Sequence, residues 1–270
     1  MKKIYTVFFV LLPLFCGCVQ NPFTGERTLA LVPNALLFPS AFGQYQTFLN
    51  ENTVVTGTPQ AEMVARVGDK IKRAAQEWVK SEGSPQYLKD YSWEYKLVQS
   101  SEINAWCMPG GKIVVYTGIL PVTKDEQGLA VVMGHEVAHA LLNHGQQRMS
   151  ASVLQQLGAL AVATLAYLLS DEQDEKTQDL AMTIYGAGST LFGTLPFSRK
   201  HESEADHYGL ILMAIAGYNP DAAVPFWQRM PGGSGLEFLS THPDHGTRIK
   251  DLRGWVSEAK KKADKINRNN

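Results

Sequence analysis

The chain has 270 residues, with 25 Lys and Arg against 26 Asp and Glu, for a formal charge of -1. Its 44% hydrophobic and 10% aromatic content supplies a core and excludes wholesale disorder. The near-neutral balance excludes a general basic field that would collect nucleic acid. Three cysteines are too few for a disulfide scaffold. All seven histidines fall after residue 134.

Lys2 and Lys3 precede an apolar run from Ile4 to Phe15, the pattern of a secretory leader, so residues 1–17 are set aside from the fold. Gly17 and Cys18 resemble a bacterial lipoprotein signal, in which Cys18 is lipidated. That reading implies a lipid-anchored, periplasm-facing protein of the bacterial cell envelope. The outer membrane is favoured over the inner because Val19 carries no retention signal. The Pro-, Gly- and polar-rich stretch at 19–28 places a tether at 18–32. Residues 33–270 then form a single domain.

A helix is expected over 33–52, and a clearer one where Val64, Val67, Ile71, Ala74 and Trp78 form one apolar stripe. Trp93, Tyr95 and Leu97 alternate as in a half-buried strand. Ile103 to Met108, a turn at Pro109-Gly110-Gly111, and Lys112 to Tyr116 continue a small sheet. Thr123 and Glu126 form a capping-box pattern ahead of a helix over about 124–143. Residues 151–169 and 177–195 are read as a buried helical hairpin or, alternatively, as a contact with a membrane surface. The run 157–169 is too short to span a bilayer. A further helix, a glycine-rich loop at 231–235 and a last helix over about 247–265 complete an α+β, mostly helical chain. The eight Lys and Arg of 248–268 read as a solvated helix face, with anionic lipid as the functional alternative.

His135-Glu136-Val137-Ala138-His139 is an HExxH motif inside one of these helices. Positions i and i+4 share a helix face, so both imidazoles can meet one cation, and two neutral imidazoles suit zinc. Glu136 is placed to take a proton from a metal-bound water. Catalytic zinc requires a third protein ligand. Leu142 and Gly145 stand where HExxHxxGxxH would require Gly and His, so that ligand comes from elsewhere. Glu202 and Asp206, four apart, can supply one carboxylate to the metal and one to a ligand histidine. Glu204 lies on another face and reads as a surface charge. His201 and His207 are rival ligands, and Arg199 is a candidate to offset the acidic charge or contact a substrate carbonyl.

These motifs, together with Asn104-Ala105-Trp106, His144, Ser198-Arg199, Thr241-His242-Pro243 and Arg248-Ile249, resemble the zinc metalloendopeptidases that include the HtpX heat-shock protease, the CAAX prenyl protease and the Oma-type peptidases. The resemblance runs from about residue 21 to 252 and is strongest to the soluble lipoprotein and Oma-like branch. It implies a zincin-like fold with a small antiparallel sheet beside the HExxH helix. It also implies one zinc per chain on His135, His139 and Glu202, Glu136 as base, and Asp206 beside a ligand histidine. Asn104 is implied as a contact to substrate backbone or oxyanion, and the strand Ile103, Asn104, Ala105, Trp106 as one that pairs with an extended peptide. His242 either donates to the oxyanion or plugs the open zinc position. His144, His201, His207 and His245 are read as ordinary. The function implied is hydrolysis of unfolded or misassembled envelope proteins. The alternative is a latent or inactive zinc lipoprotein acting as a chaperone for outer-membrane clients. Protein substrates and a membrane reached through the lipid are the expected partners. Oligomeric state has no sequence signal.

Overall fold

The structure, a computed structural model, describes residues 17–169 (159–169 as backbone), 198–231, 238, 242 and 246–268. The leader, most of the 231–235 loop, His245 and the second half of the expected 151–195 hairpin lie outside the described residues.

The stretch expected as a tether instead folds. Strands β1 (Cys18–Gln20) and β2 (Arg27–Leu29) pair antiparallel, and the polar, Gly-containing residues between them are the turn of a hairpin. Asn21 is buried: its Oδ1 accepts from the Phe23 amide at 2.9 Å. Phe23 packs edge-on against Trp78 and Tyr87. The turn chemistry that suggested a linker is equally that of an Asx-type turn, docked here by Phe23 and by Asn21, whose Nδ2 donates to the Leu141 carbonyl at 2.8 Å.

Helix α1 (Asn34–Glu51) is followed by β3 (Val54–Val55) and α2 (Pro59–Ser81). The α2 stripe is buried as expected, with Thr58 capping the Ala61 amide at 3.2 Å. Strands β4 (Glu94–Val98), β5 (Ala105–Met108) and β6 (Lys112–Tyr116) join β3 in a sheet of order β3-β4-β6-β5. The β3-β4 and β5-β6 pairs are antiparallel, whereas β4 and β6 run parallel. Gly110 and Gly111 make the β5-β6 turn, both at positive φ. β5 is therefore the outer strand. One sheet face, including Leu97, Ala105, Ile113 and Val115, joins the main core, while Tyr45 and Phe48 of α1 cover Val98, Val114 and Trp106 on the other.

A short helix α3 (Leu120–Thr123) precedes α4 (Glu126–Leu141). The expected capping box is replaced. Thr123 closes α3, Lys124 reverses the chain at φ 68°, and Asp125 caps α4 by accepting from the Gly128 amide at 3.0 Å. A carboxylate beside the helix N-terminus also suits the macrodipole. Every residue from Gly128 to Leu141 is buried, so α4 is the central helix of the core. Its last carbonyls accept from three side chains: Tyr91 on Ala140 at 3.0 Å, and Tyr87 and Asn21 on Leu141 at 2.9 and 2.8 Å. Asn143, at φ 58°, reverses the chain, so α5 (His144–Leu169) begins seven residues before the expected 151.

Helix α6 (Arg199–Ile215) crosses α4, α7 (Ala223–Arg229) follows, and α8 (Arg248–Arg268) packs along α6. A Cβ on Gly209 would lie 2.8 Å from the His135 amide nitrogen, and one on Gly134 would lie 2.8 Å from the Gly209 carbonyl. Two glycines thus let α4 and α6 approach backbone to backbone. The basic run of α8 is amphipathic: Arg248, Leu252, Ala259, Ala263 and Ile266 are buried, while Lys260 and Lys262 pair with Asp221 and Glu82. Among the described residues, no helix is long and apolar enough to cross a membrane. The outcome is the expected α+β, mostly helical fold with a small sheet beside the HExxH helix.

Candidate metal centre

The α4-α6 approach places the acidic turn of α6 over the HExxH face of α4. His135, His139 and Glu202 converge, and His242 joins them, all buried, with one donor atom from each lying within 4.8 Å of the others. His135 Nε2 stands 3.1 Å from His139 Nε2 and 3.2 Å from His242 Nδ1. Glu202 lies 3.4 Å from His135 Nε2 through Oε2, and 3.3 Å from His139 Nε2 and 3.1 Å from His242 Nδ1 through Oε1. Four donors tetrahedrally disposed about zinc are separated by about 3.3–3.4 Å, the spacing that bond lengths of about 2.0–2.1 Å require. The residues present therefore fit zinc, with three imidazoles and one carboxylate as the donor set. Converging nitrogen lone pairs also need a cation or a proton between them. Burial opposes charge on His135, but Asp206 and Glu202 outweigh it and push its pKa up to about 10 in the metal-free chain. Burial holds His139 well below its ordinary value.

Around the donors sits a buried charge network. Asp206 lies 2.9 Å from His135 Nδ1, which fixes Nε2 as the inward nitrogen. Arg248, 2% exposed, donates through Nε to Asp206 at 2.7 Å and through Nη2 to Glu202 at 3.0 Å, with its guanidinium 3.9 Å above the Trp227 ring. Arg199, the arginine expected here, is exposed on the first turn of α6. The resemblance included Arg248, but its position in a run of eight basic residues gave it the reading of a solvated face. The signal that separates it is the apolar spacing of α8, which puts Arg248 on the Leu252 face.

Glu136 is buried, and burial raises its pKa while His242 and His135 pull it down. Its Oε1 lies 3.5 Å from His242 Nε2 and has no hydrogen-bond partner among the described residues. His242 is held by a 2.8 Å bond from its amide to the Phe238 carbonyl and by stacking on the Phe238 ring at 4.7 Å. Asn104 is buried at the head of β5, its Oδ1 accepting from the Ala105 amide at 2.9 Å. Ile103 precedes the strand, Ala105 faces the core and Trp106 faces α1. Asn104 and, on β5, Trp106, Cys107 and Met108 line the same cleft as Glu136, His139 and His242, so this edge looks into the site. A cleft of about 500 Å³ opens there, walled by Leu37, Phe38, Met108 and Met149 and floored by Glu136 and His139. Cys18 is exposed at the start of β1.

A buried HExxH helix crossed by a carboxylate-bearing helix beside a sheet edge defines a metallopeptidase, and the chain belongs to peptidase family M48, which it matches over residues 65–256. It is 37% identical over 180 residues to the mitochondrial metalloendopeptidase OMA1 of Schizosaccharomyces pombe, covering 65% of this chain and 50% of that protein. It is 33% identical to the human mitochondrial metalloendopeptidase OMA1, covering 64% and 34%. To the beta-barrel assembly-enhancing protease of Yersinia pestis it is 28% identical, covering 62% and 35%. The chain thus spans half or less of the length of these relatives. They correct one expectation: several at 31–37% identity are mitochondrial metalloendopeptidases, which argues against a bacterial outer-membrane lipoprotein.

Proposed function

We propose that the chain is a zinc-dependent endopeptidase that cleaves unfolded or misassembled proteins and rests in a latent state closed by His242. The observation that supports this best is the convergence of the four buried donors, within 4.8 Å of one another, on a point where one zinc ion could be held with His135, His139 and Glu202 as the permanent ligands. When bound, zinc would polarise the scissile carbonyl and acidify a water. His242, through Nδ1, occupies the position that water and substrate need. Its withdrawal would free that position and leave Glu136 Oε1, which in the closed state lies 3.5 Å from His242 Nε2, to take the water's proton and pass it to the leaving amine. An extended chain laid along β5 would be read through its backbone, which suits an unfolded substrate, while Asn104 at the head of that strand is placed to contact its carbonyls. Arg248 and Asp206 hold the ligands in place and take no part in proton transfer.

The closed position of His242 also favours a second reading, a zinc protein that binds clients without cutting them. The test is hydrolysis of an unfolded model protein by wild type, Glu136→Gln and His242→Ala, with zinc content measured on each. The proposal expects Glu136→Gln to keep zinc and lose roughly 10²–10⁴-fold in rate, and His242→Ala to cut faster than wild type. Tight zinc with no hydrolysis by wild type or His242→Ala would establish the binding protein instead.

A further inference from the structure

The zinc reading leaves one buried group unused. His144, the first residue of α5, is fully buried and lies against the outward side of His139. Its Nδ1 is 2.9 Å from His139 Nδ1, and its Nε2 is 3.1 Å from Glu204 Oε2. His201 stacks on its ring at 4.3 Å and 20°. Glu204, 22% exposed, is also 3.4 Å from Lys200.

The protons in this row follow in one direction. A His139 that turns Nε2 to a metal must carry its proton on Nδ1. The atom facing that N–H is His144 Nδ1, which must therefore accept, so the His144 proton sits on Nε2 and is donated to the Glu204 carboxylate. Each atom in the row thus has one role, and the chain ends on a charge. The two ligand histidines are then anchored alike from α6, His135 directly by Asp206 and His139 by Glu204 through an imidazole.

We propose that His144 and Glu204 are positioning residues that fix the tautomer and ring orientation of His139 and thereby tighten the hold on zinc. This rests on the zinc reading above. Spacing alone gave no hint of it, because Glu204 lies on a different face of α6 from Glu202. It reaches His139 only because the reversal at Asn143 delivers His144 into the gap. The orienting partner of a metal-bound histidine is commonly worth 10–100-fold in affinity.

The test is zinc affinity of the full chain by competition with a chromophoric chelator, with melting of the zinc-free proteins alongside. His144→Phe is expected to bind zinc roughly 10–100-fold more weakly. His144→Asn, which keeps an acceptor near Nδ1, is expected to recover part of that loss. Glu204→Gln is expected to weaken binding with His144 present and to add nothing in the His144→Phe background, the signature of action through the imidazole. Glu204→Gln also carries the test should the Phe variant fail to fold. Unchanged affinity in Glu204→Gln, or an equal loss from it with and without His144, would overturn the relay. A wild type that holds no zinc would overturn the zinc reading with it.

Discussion

At the scale of single residues, the site combines cost and compensation. Glu202 and Asp206 are buried carboxylates; burial alone would raise the Glu202 pKa, yet hydrogen bonding to His135, His139 and His242 holds it far below its ordinary value. Arg248 shares out the remaining charge between the two acids. Removing one member of a buried ionic group leaves its partners uncompensated, typically at about 3–5 kcal/mol. Arg248→Met, which preserves much of the volume under Trp227, is therefore expected to lower the melting temperature steeply. Arg199→Met, at an exposed position, is expected to leave it almost unchanged. Equal melting of the two variants would show that the network is not where the stability lies. HExxH and the four-residue interval from Glu202 to Asp206 were legible in the sequence because helical geometry alone puts each pair on one face. Arg248 and His144 were not, since their roles depend on chain reversals and on a helix docking more than forty residues away.

At the scale of elements, the crossing of α4 and α6 governs whether ligands from two helices meet. Gly134 and Gly209 have ordinary helical φ, so their value lies in closeness and not in conformational freedom. Gly209→Ala would drive a methyl into the His135 backbone. The variant is expected to lose about 1–3 kcal/mol, the usual cost of overpacking, and to bind zinc more weakly because Glu202 moves with the helix. Thermal melting with and without zinc checks both parts, and a variant matching wild type in each would deny the crossing its role. No periodicity in the sequence marks these glycines, because their partner is another helix backbone.

The sheet offers an electrostatic test. Glu94 and Lys112 are register partners on the parallel β4-β6 pair, 3.0 Å apart. Partial burial raises the Glu94 pKa, but bonding to Lys112 and Lys96 outweighs it, leaving a net fall from 4.5. A depressed carboxylate stabilises the fold above its ordinary pKa, and that contribution disappears as pH falls through the depressed value. Lys112→Met is thus expected to cost about 1 kcal/mol at pH 7 and progressively less below about pH 4.5. Denaturant melts across that range read the effect, and a gap that widened on acidification would reverse the assignment. The alternation of β4 and a further strand at Lys112 to Tyr116 were visible in the sequence. Their parallel pairing was not, since it depends on β5 lying outside β6 and not between it and β4.

At the scale of the whole molecule, the first half of the chain forms one wall and the second half the metal centre. Helix α1 and the edge strand β5 line the cleft, α4 and α6 supply three donors, and His242 and, from α8, Arg248 lie against them. The N-terminal hairpin is part of this assembly, because Asn21 bonds the end of the helix that carries His135 and His139. Composition anticipated the hydrophobic core and residue order the placement of the histidines, but a hairpin turn and a linker share the same residues, so the docking of 18–29 was invisible before the fold.

In the latent state proposed for the chain, zinc would rest on four protein donors, with His242 closing the position that catalysis needs. X-ray absorption at the zinc edge of the full chain counts those donors directly. Three imidazoles and one carboxylate are expected in the wild type, falling to two imidazoles, a carboxylate and a water in His242→Ala. Two imidazoles and a water in the resting wild type would contradict it.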